Sequence, residues 1–301
     1  MNSIFRLIKE RGLSCTFKIF TQWLFLKDKN IHVFFNHSGA NAYVQKYRYV
    51  LNRPAITDAS CFENPYPNKI WTCWLQGITN APEIVQQCVK SIVAQDKTGE
   101  VILLDNTNIA QYVEVPQHIA QKWRNGIISN THYSDVIRLL LLEKYGGVWI
   151  DSTTFLLEKI PEYIREADIF CFKTSERGPS IASTGFIAAK AHNQIISTTK
   201  ELLLEYWRKE NKLVSYGLIH ICFAMAVNST EFTRKQWKNT PYFDCINNQL
   251  LQMELFDEYN PKRLEQIKQM SVIQKLSYKF PSENFEKKGT FYDEVVRKFE
   301  K

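Results

Sequence analysis

Two short runs carry residue types that could do chemistry. Ser134-Asp135-x-x-Arg138 sets a carboxylate and a guanidinium three positions apart. Tyr145-Gly146-Gly147-Val148-Trp149-Ile150-Asp151 ends on a second carboxylate and runs on into Ser152 and Thr153. On a helix, positions three apart share a face, so Asp135 and Arg138 could form an ion pair of purely structural use at a helix start. Against that, the helix expected over Val136 to Tyr145 is apolar nearly all round and therefore buried, and a buried charge needs a partner or a task. Gly146-Gly147 breaks the helix and leads into a strand whose carboxyl end carries Asp151. Open α/β sheets bind ligands outside the carboxyl ends of their strands. Asp135, Arg138 and Asp151 would then converge on one pocket, able to grip sugar hydroxyls and a metal or a phosphate.

The elements that must position these groups are legible around them. Ile70-Trp71-Thr72-Cys73-Trp74-Leu75 reads as a buried strand closed by Gln76-Gly77. Pro82 opens a helix with Ile84, Val85, Val89, Ile92 and Val93 near helical spacing. Glu100 to Asp105 encloses a second strand, and strand, helix, strand in this space is a βαβ unit, which predicts a parallel sheet covered by helices. Thr131 to Asp135 looks like a helix start. Further strands are expected at Ile169–Phe172 and near Ile181–Ala188, and helices around Asn193–Lys209 and Leu218–Val227. Residues 1–66 form an aromatic, basic preamble that ends in the linker-like Asn64-Pro65-Tyr66-Pro67, residues 67–285 the main domain, and residues 286–301 a polar tail.

Composition excludes several classes. At 301 residues, 45% hydrophobic and 23% charged, the chain is neither disordered, collagen-like nor a coiled coil. Seven cysteines, odd in number and without a Cys-x-x-Cys pair, argue against a disulfide framework and a zinc knuckle. The Gly-rich dinucleotide fingerprint, the P-loop, His-Glu-x-x-His and Gly-x-Ser-x-Gly are all absent. The net charge is +7, and residues 1–29 alone hold six basic residues against Glu10 and Asp28, interleaved with Phe5, Phe17, Phe20, Trp23 and Phe25. Such a segment suits either an anionic membrane surface or a helix docked on the domain itself. No nucleic-acid module accompanies the charge, so no nucleic-acid partner is expected. No run reaches the ~18 apolar residues of a spanning helix, and no secretory signal is recognisable, which places the expected location in the cytoplasm, at the inner face of the membrane.

Taken together, Ser-Asp-x-x-Arg, a leucine-rich helix, Tyr-Gly-Gly and a strand ending in Asp resemble the DXD-containing sugar transferases of GT-A type, the group of the yeast-type outer-chain α-mannosyltransferases and the large glucosylating toxins. The chain most resembles the bacterial capsular polysaccharide synthesis protein family. Beyond the central block, the likeness is carried by Lys69-Ile70-Trp71-Thr72-Cys73-Trp74-Leu75-Gln76-Gly77, by Ala81-Pro82-Glu83-Ile84-Val85, by Leu204-Glu205-Tyr206-Trp207-Arg208-Lys209-Glu210-Asn211, and by Tyr216 and His220. It spans about residues 65–285.

The resemblance implies an α/β fold of GT-A (Rossmann-like) type, a mixed sheet flanked by helices, with helical additions at both ends. It implies a glycosyltransferase that moves a sugar from a nucleotide-sugar donor to a capsular or other surface polysaccharide intermediate, with retention, the glycan acceptor being lipid-linked. The alternative is a non-catalytic scaffold on the same fold. Trp74 would stack on the base, and Ser134 would line the donor site. Asp135 and Arg138 would hold the sugar hydroxyls and the phosphate side. Asp151 would be the first carboxylate of the DXD motif, meeting ribose or a divalent cation, Mn²⁺ or Mg²⁺, and Asp105, at the end of the second strand, would sit on the rim or, as its own surroundings favour, close a solvated turn. The chain departs from Asp-x-Asp, reading Asp151-Ser152-Thr153. Hard divalent cations prefer carboxylate oxygens, so metal affinity should fall with Thr153 in the second place. His220 as a ligand, or Lys275 and Lys279 on the phosphate side, are the groups expected to compensate.

Overall fold

The structure, a computed structural model, describes residues 39–52, 69–95, 101–174 and 180–299. Five strands form the central sheet: β1 (Ile70–Cys73), β2 (Val101–Leu104), β3 (Gly147–Ile150), β5 (Ile169–Lys173) and β6 (Ala182–Ala189), in the order β2-β1-β3-β6-β5. β2, β1 and β3 run parallel, as the βαβ unit requires, whereas β6 is antiparallel to both β3 and β5. The sheet is therefore mixed rather than parallel throughout. Strands β5 and β6 are joined by a short connection, and strands joined this way pair antiparallel because a parallel return needs a crossover. A two-stranded sheet pairs β4 (Thr154–Leu156) with β7 (Ile273–Lys275), in the register Thr154↔Lys275.

Among the described residues, seven α-helices of eight residues or more are numbered in chain order: α1 (Glu83–Gln95), α2 (Gln117–Arg124), α3 (Asn130–Tyr145), α4 (Gln194–Lys209), α5 (Leu218–Val227), α6 (Glu231–Asn239) and α7 (Pro261–Met270). The period-two alternation of a strand divides the core between the two sheet faces. Val148 and Ile150 of β3 join Ile70, Phe170 and Phe186 on one face, while Trp149 joins Trp71 and the residues of α3, α4 and α5 on the other.

The start and stop of α3 follow from local chemistry. Ser129 caps its first turn through the His132 amide, and Gly146, with φ +66°, ends it. Gly147 follows at φ +90°, and a Cβ there would stand 2.3 Å from the Lys69 carbonyl oxygen. Only glycine lets β3 enter the sheet beside the residue that precedes β1.

The described parts of both ends are helical and pack on the domain. Residues 45–52 form a 3₁₀ helix that packs against α4, where Glu210 accepts hydrogen bonds from Tyr43, Lys46 and Tyr47. The segment expected as a polar tail carries Phe291, Tyr292 and Val296 into a second apolar cluster with Ile84, Val85, Leu251, Leu255 and Ile267. The basic, aromatic residues 1–29 lie outside the described residues. Among the described residues no helix is long and apolar enough to cross a membrane.

Candidate active site

A cleft of about 480 Å³ opens beyond the carboxyl ends of β1 and β3. Its floor is built by two strand ends: β1 and the residue after it deliver Cys73 and Trp74, and β3 and the residue after it deliver Trp149 and Asp151. The helix start supplies Asn130, Thr131, Ser134 and Arg138, and the stretch after β7 supplies the facing wall.

Arg138 is the hub. Its side chain is only 5% exposed, and its fork uses three acceptors. Nη1 donates to the Thr184 carbonyl at 2.5 Å, and Nη2 to Asp151 Oδ1 at 2.9 Å, with Asp135 Oδ1 at 3.2 Å. The guanidinium also lies 5.0 Å from the Trp149 ring. Trp149 Nε1 donates to the same Asp151 Oδ1 at 2.9 Å. On the other side, Lys275 Nζ donates to Asp151 Oδ2 at 2.7 Å and to Thr153 Oγ1 at 2.6 Å. Gly185 leaves room for this contact, since a Cβ there would come within 2.8 Å of Asp151 Oδ2.

The two carboxylates shift in opposite directions. Burial pushes Asp151 up, but Lys275 and Arg138 outweigh it, and the carboxyl is held at about 2. Asp135 is raised, because burial exceeds the pull of Arg138 and His132. Asp151 is thus a firm anion clamped between two cations, and Asp135 is an inward partner that orients the guanidinium. Burial also pushes the Cys73 thiol up to about 12, so it packs rather than attacks.

Of the residues expected at the site, Trp74, Ser134, Arg138, Asp151, Thr153, Lys275 and Lys279 line the cleft. Three do not. Asp135 sits behind Arg138, because its place on α3 turns it toward the core. Asp105 accepts from the Thr107 amide and hydroxyl and closes the turn after β2, a local Asx turn rather than a rim. His220 lies on α5, its Nε2 3.2 Å from the Thr184 hydroxyl, and does not line the cleft. Among the described residues no cluster of three or more His, Cys, Asp or Glu side chains could hold a metal ion.

Residues outside the sequence expectation complete the walls. Tyr278 meets Trp74 edge to face at 5.7 Å, with Lys279 Nζ 5.9 Å from the tyrosine ring. Tyr216, 65% exposed, stands near the α3 start, and its carbonyl lies 3.3 Å from His132 Nε2. His132 Nδ1 is in turn 2.8 Å from the Ser129 hydroxyl, an arrangement that suits the Nε2–H tautomer. Gln249 and Gln252 add amide groups to the rim. An aromatic residue beside a lysine at Tyr278-Lys279 is the one signal in the sequence that could have pointed to Tyr278.

A family model described as capsular polysaccharide synthesis protein matches residues 21–295. Over 157 residues, 46% of this chain, the sequence is 31% identical to the O-glycosyltransferase braB of Annulohypoxylon truncatum. Over a stretch of the same extent it is 27% identical to the glycosyltransferase afumC of Aspergillus fumigatus. The matches span 37% and 40% of those two proteins. Among solved structures the chain is similar to the PaToxG glycosyltransferase, at 17% identity and a TM-score of 0.40 over 89% of this chain and 97% of that one. The family match takes in both sheets, the Asp135–Arg138–Asp151 group and Lys275, and on that extent this chain belongs to the capsular polysaccharide synthesis protein family.

Proposed function

We propose that the protein is a glycosyltransferase that uses a nucleotide-sugar donor and extends a capsular or other surface polysaccharide intermediate. The observation that carries this reading is the charge arrangement of the cleft. Arg138, Lys275 and Lys279 face it against one carboxylate, Asp151, which is already paired. That excess of positive charge complements the diphosphate of a nucleotide sugar. Trp74 and Tyr278 offer rings for the base, while Ser134 and Thr153 offer hydroxyl groups for the sugars. Family membership and the names of the two fungal relatives point the same way.

In the reaction, the bond from the sugar's anomeric carbon to the diphosphate oxygen breaks, and a bond to an acceptor hydroxyl oxygen forms. The bonding electron pair leaves with the nucleoside diphosphate, whose growing charge the cations stabilise. The acceptor proton passes to the departing phosphate oxygen. That route needs no enzyme base. Among the described residues lining the cleft, Asp151 is the sole acidic side chain, and it is clamped by cations. A front-face transfer with retention is the stereochemistry this supports.

The acceptor in this reading is lipid-linked, at the cytosolic face of the membrane, with residues 1–29 holding the enzyme to anionic lipid. Loss of salt-sensitive liposome binding on deletion of 1–29 is expected, and unchanged binding removes the membrane contact. For the activity, a panel of nucleotide sugars is offered to the wild type and to Asp151→Ala, with donor hydrolysis as the readout. Turnover of one donor that collapses in the variant is expected. Failure of every donor to bind leaves the scaffold reading.

A further inference from the structure

We propose that Lys275 stands where a transferase with an Asp-x-Asp motif would hold its divalent cation, so that this protein binds the donor diphosphate without a metal. The proposal rests on the donor-site reading above and deepens it.

The donor set does not fit a hard divalent cation. Such an ion asks for several oxygen ligands, carboxylates first. The cleft offers one carboxylate, and both its oxygens are engaged: Oδ1 by Arg138 and Trp149, Oδ2 by Lys275. The hydroxyl at the second motif position, Thr153 Oγ1, accepts from the same ammonium. An ion placed between Asp151 and Thr153 would have to displace Lys275 and would then lie beside Arg138, which holds the other carboxylate oxygen. His220, the nitrogen ligand expected from the sequence, meets the Thr184 hydroxyl and does not line the cleft.

Lys275 is built into that place by the backbone. The β4–β7 ladder pairs it with Thr154, and the Leu276 amide donates to the Thr153 carbonyl at 2.7 Å. The residue is therefore registered against the motif on both sides. An ammonium carries three donors. Asp151 and Thr153 take two, and with the side chain 30% exposed in the cleft, the third is left for a ligand oxygen. Lys279 lies further along the same wall and adds a second positive charge. With a neutral hydroxyl at Thr153 in place of a second motif carboxylate, an internal cation does there what a bound ion does.

The test is calorimetric binding of UDP and of GDP, each compared with its nucleoside, in EDTA and again with Mn²⁺ or Mg²⁺. The proteins are the wild type, Lys275→Ala and Lys275→Arg, each checked for folding by thermal melt. The expected result is diphosphate binding by the wild type that EDTA leaves unchanged. Lys275→Ala should weaken diphosphate binding about tenfold or more, the scale of a lost charge-assisted hydrogen bond. Nucleoside binding should stay within about twofold, and Lys275→Arg should recover part of the loss. Wild-type binding that appears only with added metal overturns the proposal while leaving the donor site intact. Absence of binding in every arm overturns the donor site, and the proposal with it.

Discussion

Lys275 Nζ lies 2.7 Å from Asp151 Oδ2, joining residues 124 positions apart. Two separate pairings produce this contact. Gly146-Gly147 turns the chain from α3 into β3, which stops one residue before Asp151, and β7 brings Lys275 alongside through its ladder with β4. Arg138 closes the other side of the carboxylate from a helix. Three elements thus share one anion, and the cleft depends on it for both shape and charge.

The depressed Asp151 carboxyl makes stability depend on pH in a definable window. Folded, the group titrates near 2 rather than at the ordinary 3.8, because Lys275 and Arg138 outweigh the effect of burial. Its contribution is therefore complete above the unfolded value and is lost as pH falls from about 4 toward 2, in total about 2 kcal/mol. Asp151→Asn lacks this titration. The gap in unfolding free energy between wild type and variant should narrow by about 1 kcal/mol between about pH 6 and pH 3 in urea melts. A gap that stays constant with pH would show that the ion pairs do not persist in solution.

Arg138→Lys should be costly although the charge is kept. One ammonium cannot reproduce a planar fork that meets Asp135, Asp151 and the Thr184 carbonyl while stacking on Trp149. With the buried Asp135 and the partly buried Asp151 left incompletely paired, a destabilisation of about 2–4 kcal/mol is expected. Donor turnover should drop by two orders of magnitude or thereabouts, roughly 3 kcal/mol of transition-state stabilisation. Denaturant melts and initial rates on the same preparation check both. Wild-type rates in the variant would place Arg138 outside the chemistry.

Trp74 separates base stacking from core packing. It is partly buried, joins the cluster around Ile84 and Leu251, and faces the cleft next to Tyr278. Base–aromatic stacking is worth about 1–3 kcal/mol, so Trp74→Ala should raise the dissociation constant of the nucleotide about tenfold or more. Trp74→Phe should recover much of it. If both variants bind nucleotide like the wild type yet melt lower, the residue serves packing alone.

How much of this was legible follows from where each signal resides. The α3 start, the Gly-Gly break and the Asp at the strand end are local patterns, and they appear within a residue or two of their expected places. The inward turn of Asp135 was not legible, because the three-residue spacing fixes a shared face with Arg138 but not which way that face looks. The turn at Asp105 was legible as the alternative to the rim, since Asp-Asn-Thr-Asn is itself turn chemistry. The Lys275–Asp151 contact is beyond any local rule, as it depends on pairing two three-residue strands across more than a hundred residues. The buried Phe291, Tyr292 and Val296 were missed because a π-helical turn carries no 3.6-residue period.

Gly147 and Gly126 form a matched pair for the cost of entering β3. Both have positive φ, +90° and +71°, so alanine is strained at either. At Gly126 a Cβ would meet nothing within 4 Å, and Gly126→Ala should cost only the backbone term, about 1 kcal/mol. At Gly147 the same atom would stand 2.3 Å from the Lys69 carbonyl oxygen, which itself accepts from the Val148 amide at the β1–β3 junction. Relief requires moving backbone in the centre of the sheet, so Gly147→Ala should cost about 3 kcal/mol or more. The displaced β3 would carry Asp151 with it, and nucleotide binding should fall along with stability. Thermal melts of the two variants decide the matter: equal losses would mean that β3 can enter the sheet without the close approach to Lys69, and that Gly147 serves only its backbone angle.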